Sequence, residues 1–188
     1  MGLDQDYLLK SARVLASRRD IPWDSFCAKK IVITGSTGLI GSQLVRTFLA
    51  RNDHFHACNQ LILPVRNINK AICMFGDRSD ISFLEWNLDS AQLNIDSCDF
   101  FIHAACDTSS QGFLKNPVST ILSIVNGGKV TLQSAQDAGA TKYLFLSTME
   151  VYGEVSGLTT EVDLGCLDPV IVRNSYPEAK RLVECLCS

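Results

Sequence analysis

The 188 residues, 46% of them hydrophobic, suffice for one domain with a substantial core, which argues against a disordered chain. With 17 Lys and Arg against 20 Asp and Glu the net charge is −3 and no long basic run occurs, so nucleic acid and an anionic membrane are disfavoured as partners. No stretch reaches the ~18 apolar residues of a membrane span.

The opening MGLDQDYLLKSARVLASRRD carries charges where a signal peptide needs its apolar region, and Asp6 stands where a myristoylation pattern needs Ser or Thr. The expected location is the cytoplasm. Leu8, Leu9, Ala12, Val14 and Leu15 are spaced as on a helix before Pro22 and Trp23 interrupt, giving an N-terminal arm over residues 1–29.

From Lys30 to residue 188 short apolar runs alternate with helical segments: IVIT (31–34), LILPV (61–65), ISFLEW (81–86), DFFIHAA (99–105) and KYLFLS (142–147). Runs that are apolar on both faces suit the buried strands of a parallel, doubly wound α/β sheet. Pro64 removes a ladder donor, so its strand is expected at an edge or to end early. Helices are expected from Ser42 to Ala50, and from Asn116-Pro117, as cap and first-turn residue, towards Ala138.

The first run leads directly into ITGSTGLIGSQLV, with glycines at Gly35, Gly38 and Gly41. That spacing after a strand and before a helix allows a sharp turn, close approach of backbone N–H groups to a pyrophosphate, and tight helix packing. Gly35, Ser36, Thr37, Gly38, Leu39, Ile40 and Gly41 are therefore the expected dinucleotide cradle. The acidic residue that would hold the adenosine ribose is missing from LILPVRN. Arg66 stands there, as an adenine or 2′-phosphate contact that leaves NADP open beside NAD, or as a solvated surface arginine.

The eight cysteines include no Cys-x-x-Cys pair and are read as buried reduced thiols, with Cys185-x-Cys187 exposed near the terminus. His54-x-His56 has no partner at ligand spacing and is read as a surface loop, so no metal is expected. Near the end, SYPEAKR places Tyr176 and Lys180 four residues apart, on one face of a helix. A nearby ammonium favours the phenolate, so Tyr176 is expected below its ordinary pKa of ~10. Ser175 and Glu178 form an expected capping box, and Ala179, Leu182, Val183 and Leu186 an expected buried stripe. Alone, Tyr-x-x-x-Lys is as readily an exposed pair; behind the glycine loop it reads as catalytic.

Thr-Gly-x-x-Gly-x-x-Gly, the HAA turn, STMEVYG and Tyr-x-x-x-Lys together resemble the extended short-chain dehydrogenase/reductases, the NAD-dependent epimerase/dehydratase family, over residues 29–188. The resemblance implies a Rossmann-type fold truncated before the C-terminal substrate domain, bound NAD, a nucleotide-sugar substrate and, when complete, a homodimer built on the long helix and the Tyr-Lys helix. It adds Asn87, Leu88, His103, Ala104 and Ala105 to the cofactor contacts. It makes Thr148 a sugar-binding and catalytic residue, Glu150 a catalytic residue and Arg173 a substrate contact. Asn126, in Asn126-Gly-Gly-Lys129-Val130, departs from the family's Asn-x-x-Gly-Thr and is assigned, less firmly by pattern, to support the lysine. Met149 replaces the aspartate of 4,6-dehydratases and cannot donate a proton. Arg173 and Glu178 around Tyr176 match the UDP-glucuronate decarboxylase branch, the implied function. A 4-epimerase, a 4,6-dehydratase and a noncatalytic NAD(P)-binding module are the alternatives.

Overall fold

Alternating burial along the strands divides the core. In β1 (Lys30–Thr34), Ile31 and Ile33 face one side and Val32 the other, and all three are fully buried. Ile31 and Ile33 join Leu61 and Leu63 of β2 (Gln60–Val65), Val45 and Phe48 of α2 (Leu39–Phe55), and Phe75 of α3 (Ile68–Phe75). Val32 joins Phe101, Trp86, Leu93 and Ala135 on the opposite face. Both faces of the sheet are thus covered, as the apolar runs require.

The computed structural model describes residues 5–107, 110–155, 157–163 and 165–188; the first four residues of the arm, with the Met-Gly opening, lie outside them. With β3 (Ile81–Glu85), β4 (Phe100–His103) and β5 (Lys142–Phe145), the strands form one parallel sheet in the order β3-β2-β1-β4-β5. The chain runs outward from β1 to β3, then returns to pair β4 on the other side of β1. That reversal leaves a crevice at the carboxyl ends of β1 and β4, where such sheets bind ligands.

Pro64 is neither at an edge nor past the end of its strand, since β2 lies between β1 and β3 and continues to Val65. Gln60 N–H bonds Lys29 on the β1 side and Leu61 N–H bonds Asp80 on the β3 side. Alternation therefore turns residue 64 towards β1, where proline has no N–H to offer: the β1 pairs end at Val32 with Ile62 although β1 runs on to Thr34, while the pairing with β3 continues to Val65.

The arm docks on this core. In α1 (Gln5–Ala16), Ala12 and Ala16 are buried while Leu9 and Val14 are exposed. The Gln43 amide of α2 donates to the Leu8 carbonyl at 3.4 Å and Arg51 to the Ala16 carbonyl at 3.1 Å. Trp23 and Phe26 pack edgewise and tilted on Phe48.

α5 (Pro117–Asp137) has Pro117 in its first turn, but the Asn116 side chain makes no cap bond. In α6 (Ser175–Cys187) the expected capping box is absent. Ser175 is already helical with its hydroxyl buried and unpaired, and Asn174 precedes it in helical conformation. The buried stripe contains Ala179 and Val183, whereas Leu182 and Leu186 are exposed. Only Cys98 is fully buried and Cys106 partly so; the other six cysteines are exposed, and all eight are free thiols. His54 lies in the last turn of α2, whereas His56 follows the helix as its left-handed C-cap; both are exposed, so the pair is at the surface but only His56 is in the loop. Among the described residues, no group of three His, Cys, Asp or Glu is placed to hold a metal, and no helix is long and apolar enough to cross a membrane.

Candidate active site

The glycine loop is shaped by contacts that tolerate no side chain. Gly35 adopts φ +67°, and a Cβ there would lie 2.6 Å from the Ala104 carbonyl carbon. A Cβ on Gly41 would strike the Gly35 carbonyl oxygen, so α2 begins against the turn itself. Gly38 N–H closes the turn on that oxygen at 2.9 Å. Leu39 and Ile40 are exposed, Thr37 half-buried, and the Ser36 hydroxyl is buried with no partner. First-turn N–H groups of α2, the orphaned Ser36 hydroxyl and a turn that admits no Cβ at Gly35 or Gly41 fit a dinucleotide pyrophosphate.

The HAA turn supports the loop from below. Ala105 N–H donates to Thr34 Oγ1 at 3.2 Å, and His103 Nδ1 lies 2.8 Å from the same oxygen. His103 is buried and stacked on Phe145, so its ring braces the turn while Ala104 touches Gly35. Burial, and secondarily the Lys180 charge, pushes the His103 pKa down to about 3, leaving the imidazole neutral.

The expected adenine contacts lie near the end of the sheet. Arg66 is exposed just after β2. Asn87 is exposed, its side chain accepting from Asp89 N–H at 2.8 Å in a local turn, while Leu88 is half-buried against Gly127.

Tyr176 and Lys180 rise from α6 towards the end of β5, both buried. Lys180 donates to the Leu146 carbonyl at 2.7 Å and sits 4.4 Å from the Phe145 ring centroid and 6.0 Å from that of Tyr176. The expected depression of Tyr176 is not found. Burial raises its pKa, Cys106 adds to the rise, and the Thr148 hydroxyl opposes it. Burial likewise lowers Lys180. The Lys180 ammonium does not offset the rise at Tyr176, being directed at the Leu146 carbonyl.

Asn126 does not serve the lysine; it is exposed and lines a cleft of about 590 Å³ with Asp89 and Lys129. The α5 residues packed in the Tyr176 cluster are the buried Ile124 and the half-buried Val125.

Thr148 precedes a short 3-10 turn, Met149–Tyr152, and its hydroxyl accepts from Glu150 N–H at 3.3 Å. Glu150 meets Arg173 in a two-pronged pair at 2.8 and 3.0 Å. The two residues assigned separate roles by sequence thus face each other, and Glu150 raises the Arg173 pKa by accepting its hydrogen bond.

Three contributors escaped the sequence reading. Arg181 donates to the carbonyls of Val151 at 2.7 Å and Gly165 at 3.1 Å, tying α6 to the Thr148–Glu150 turn; its adjacency to Lys180 was the available signal. Cys106, next after HAA, has its thiol raised by burial, partly opposed by Lys180 and Tyr176 beside it. Phe113 packs on Tyr176, with no signal in the local sequence.

The family model described as "NAD dependent epimerase/dehydratase family" matches residues 31–188. Among curated relatives, UDP-glucuronic acid decarboxylase 4 of Arabidopsis thaliana is 30% identical over 158 residues, covering 84% of this chain and 34% of that protein. UDP-glucuronic acid decarboxylase 6 of the same plant is 32% identical over 166 residues, covering 84% and 45%. Among solved structures, the dTDP-glucose 4,6-dehydratase DesIV of Streptomyces venezuelae, with NAD and TYD bound, superposes with a TM-score of 0.65 at 25% identity, covering 82% of this chain and 50% of that one. The epimerase Mth375 of Methanothermobacter thermautotrophicus gives 0.68 at 18% identity, covering 88% and 48%. The chain therefore spans about a third to a half of the length of these relatives.

Proposed function

Because the chain belongs to the NAD dependent epimerase/dehydratase family, we propose that residues 30–188 form the cofactor-binding part of an enzyme that modifies a nucleotide sugar by transient oxidation at carbon 4, acting as a UDP-glucuronate decarboxylase. Residues 1–29 form an arm on that domain. The observation that carries this reading is that Glu150 pairs with Arg173 beside the Thr148 turn and that Tyr176 and Lys180 stand together at the end of β5, while Ala104 of the HAA turn meets Gly35 of the cradle.

The cradle would hold the pyrophosphate on backbone N–H groups, and Lys180 the nicotinamide ribose. NAD, when bound, supplies the acceptor and later the donor of hydride at carbon 4, and a positive ring that favours the Tyr176 phenolate. Tyr176 takes the proton of the sugar 4-hydroxyl as hydride departs, and Thr148 bonds the same hydroxyl. The 4-ketone so formed lies β to a uronate carboxylate and accepts the electron pair when carbon dioxide leaves. Glu150 then exchanges a proton at carbon 5. Arg173 gives this scheme its selectivity: its fork already holds one carboxylate, and a sugar carboxylate in the place of Glu150 would free that residue for its proton transfer.

Arg66, exposed just after β2, would meet either the adenine or a 2′-phosphate; tighter binding of NADP than of NAD in calorimetric titration is the mark of the phosphate contact, and equal affinity that of an adenine contact only. A homodimer would use the exposed Val118 and Leu122 of α5 and Leu182 and Leu186 of α6.

A second reading, 4-epimerisation, rests on the same carbon-4 chemistry, while the exposed Met149 in place of a proton donor speaks against 4,6-dehydration. A noncatalytic NAD(P)-binding module would need only the cradle. The chain by itself is expected to turn over little sugar nucleotide. Supplied with the C-terminal part of a matched decarboxylase, it should release carbon dioxide from carboxyl-labelled UDP-glucuronate. Conversion of UDP-glucose to UDP-galactose without that release would transfer the assignment to epimerisation.

A further inference from the structure

Phe113 lies on α4 (Ser110–Lys115), the short helix between the HAA turn and α5, and is 3% exposed. Its ring covers Tyr176 almost flat, with centroids 4.4 Å apart and planes 9° apart. At that separation the rings are in van der Waals contact and no water fits between them. The Arg173 guanidinium is 5.4 Å from the same Phe113 centroid, within cation–π range, and reaches on to Glu150. Ile124, Ala179 and Val183 complete the buried cluster, and Cys106, Val125 and Phe145 pack against it. One ring therefore touches both the phenol and the arginine, which come from different turns of the chain.

We propose that Phe113 is a positioning residue: its face fixes the plane of Tyr176 and keeps water from one side of the phenol, while the same ring steadies Arg173 where it forks onto Glu150. The consequence for catalysis rests on the proposed function above; the placement of the ring does not. Removing the flat face while keeping the residue apolar should admit water to Tyr176 and relax the desolvation that holds its proton.

The test is a pH titration of the ring carbons of labelled tyrosine by NMR in the 188-residue chain, with Tyr176→Phe assigning the Tyr176 signal. In the parent, Tyr176 should titrate above the ordinary ~10. In Phe113→Leu its midpoint should fall towards that value, and in Phe113→Trp, which keeps a flat face, it should stay near the parent's. Tyr143, raised by its own burial away from this cluster, should be unmoved in both and so reports general unfolding. An unchanged Tyr176 midpoint in folded Phe113→Leu overturns the proposal. Where that variant does not fold, the parent decides: ring-to-ring Overhauser contacts between Phe113 and Tyr176 are expected, and their absence overturns it. An intact stack in a protein whose assembled form transfers no hydride would sink the functional reading alone.

Discussion

His103 is 2% exposed, bonded through Nδ1 to Thr34 and stacked on Phe145, with burial and then Lys180 holding its pKa down to about 3. In the unfolded chain the same imidazole titrates near ~6.5. Between these values the unfolded state binds a proton that the folded state does not, so stability falls as pH drops through that window. Urea unfolding should show this loss already between pH ~6.5 and ~5, above the range in which carboxylates titrate. His103→Asn, which can still reach Thr34, should flatten that part of the curve; an equal slope in both proteins would show that His103 does not cause it. The sequence disclosed Gly35, Tyr176 and Lys180 because their chemistry depends on spacing within one segment. It could not disclose the direction of the Tyr176 shift or the part played by Phe113, since both depend on which surfaces of α4, α5 and α6 meet.

Helix α5 approaches α6 at Gly128, next to Lys129-Val130, where its sequence departs from the family's pattern. A Cβ on Gly128 would lie 2.7 Å from Cγ1 of Val183, a fully buried and stiff side chain. Gly128→Val should therefore cost about 1–3 kcal/mol by overpacking, despite the better helix propensity of valine, measured as a lower urea midpoint at unchanged slope. Adding Val183→Ala should return part of the loss; additive losses would mean that the two residues do not meet. All five strands are legible: β1, β2 and β4 because parallel strands buried on both faces read as continuous apolar runs, and the more exposed outer strands β3 and β5 because they are rich in apolar and aromatic residues. Cap chemistry was less so: SYPE has the residues of a capping box, yet a 3-10 turn, Val172–Asn174, runs directly into α6 and leaves Ser175 inside the helix. Pro64 was misjudged because strand direction, not only strand order, decides which neighbour loses a donor.

Taken as a whole, the sheet order is that of a Rossmann-type fold, and the chain spans about a third to a half of the relatives it matches. Its outer surface carries the apolar Leu182 at 48% and Leu186 at 43% exposure on α6, which helical spacing assigns to a buried stripe, and α5 likewise exposes Val118 and Leu122. Helical periodicity identifies an apolar stripe but not whether it faces the core or a second copy. The proposed dimer predicts that sedimentation equilibrium finds a concentration-dependent monomer–dimer balance, and that Leu182→Lys with Leu186→Lys shifts it to monomer without lowering the unfolding midpoint. A monomer at every concentration would remove the dimer from the account.

The central claim, that Tyr176 moves the proton at the oxidised sugar carbon, is tested most directly by replacing its hydroxyl alone. With the assembled protein, the rate of carbon dioxide release from carboxyl-labelled UDP-glucuronate should fall by roughly 10²–10⁴-fold in Tyr176→Phe while NAD affinity is kept. Release at the parent's rate from that variant would contradict the account.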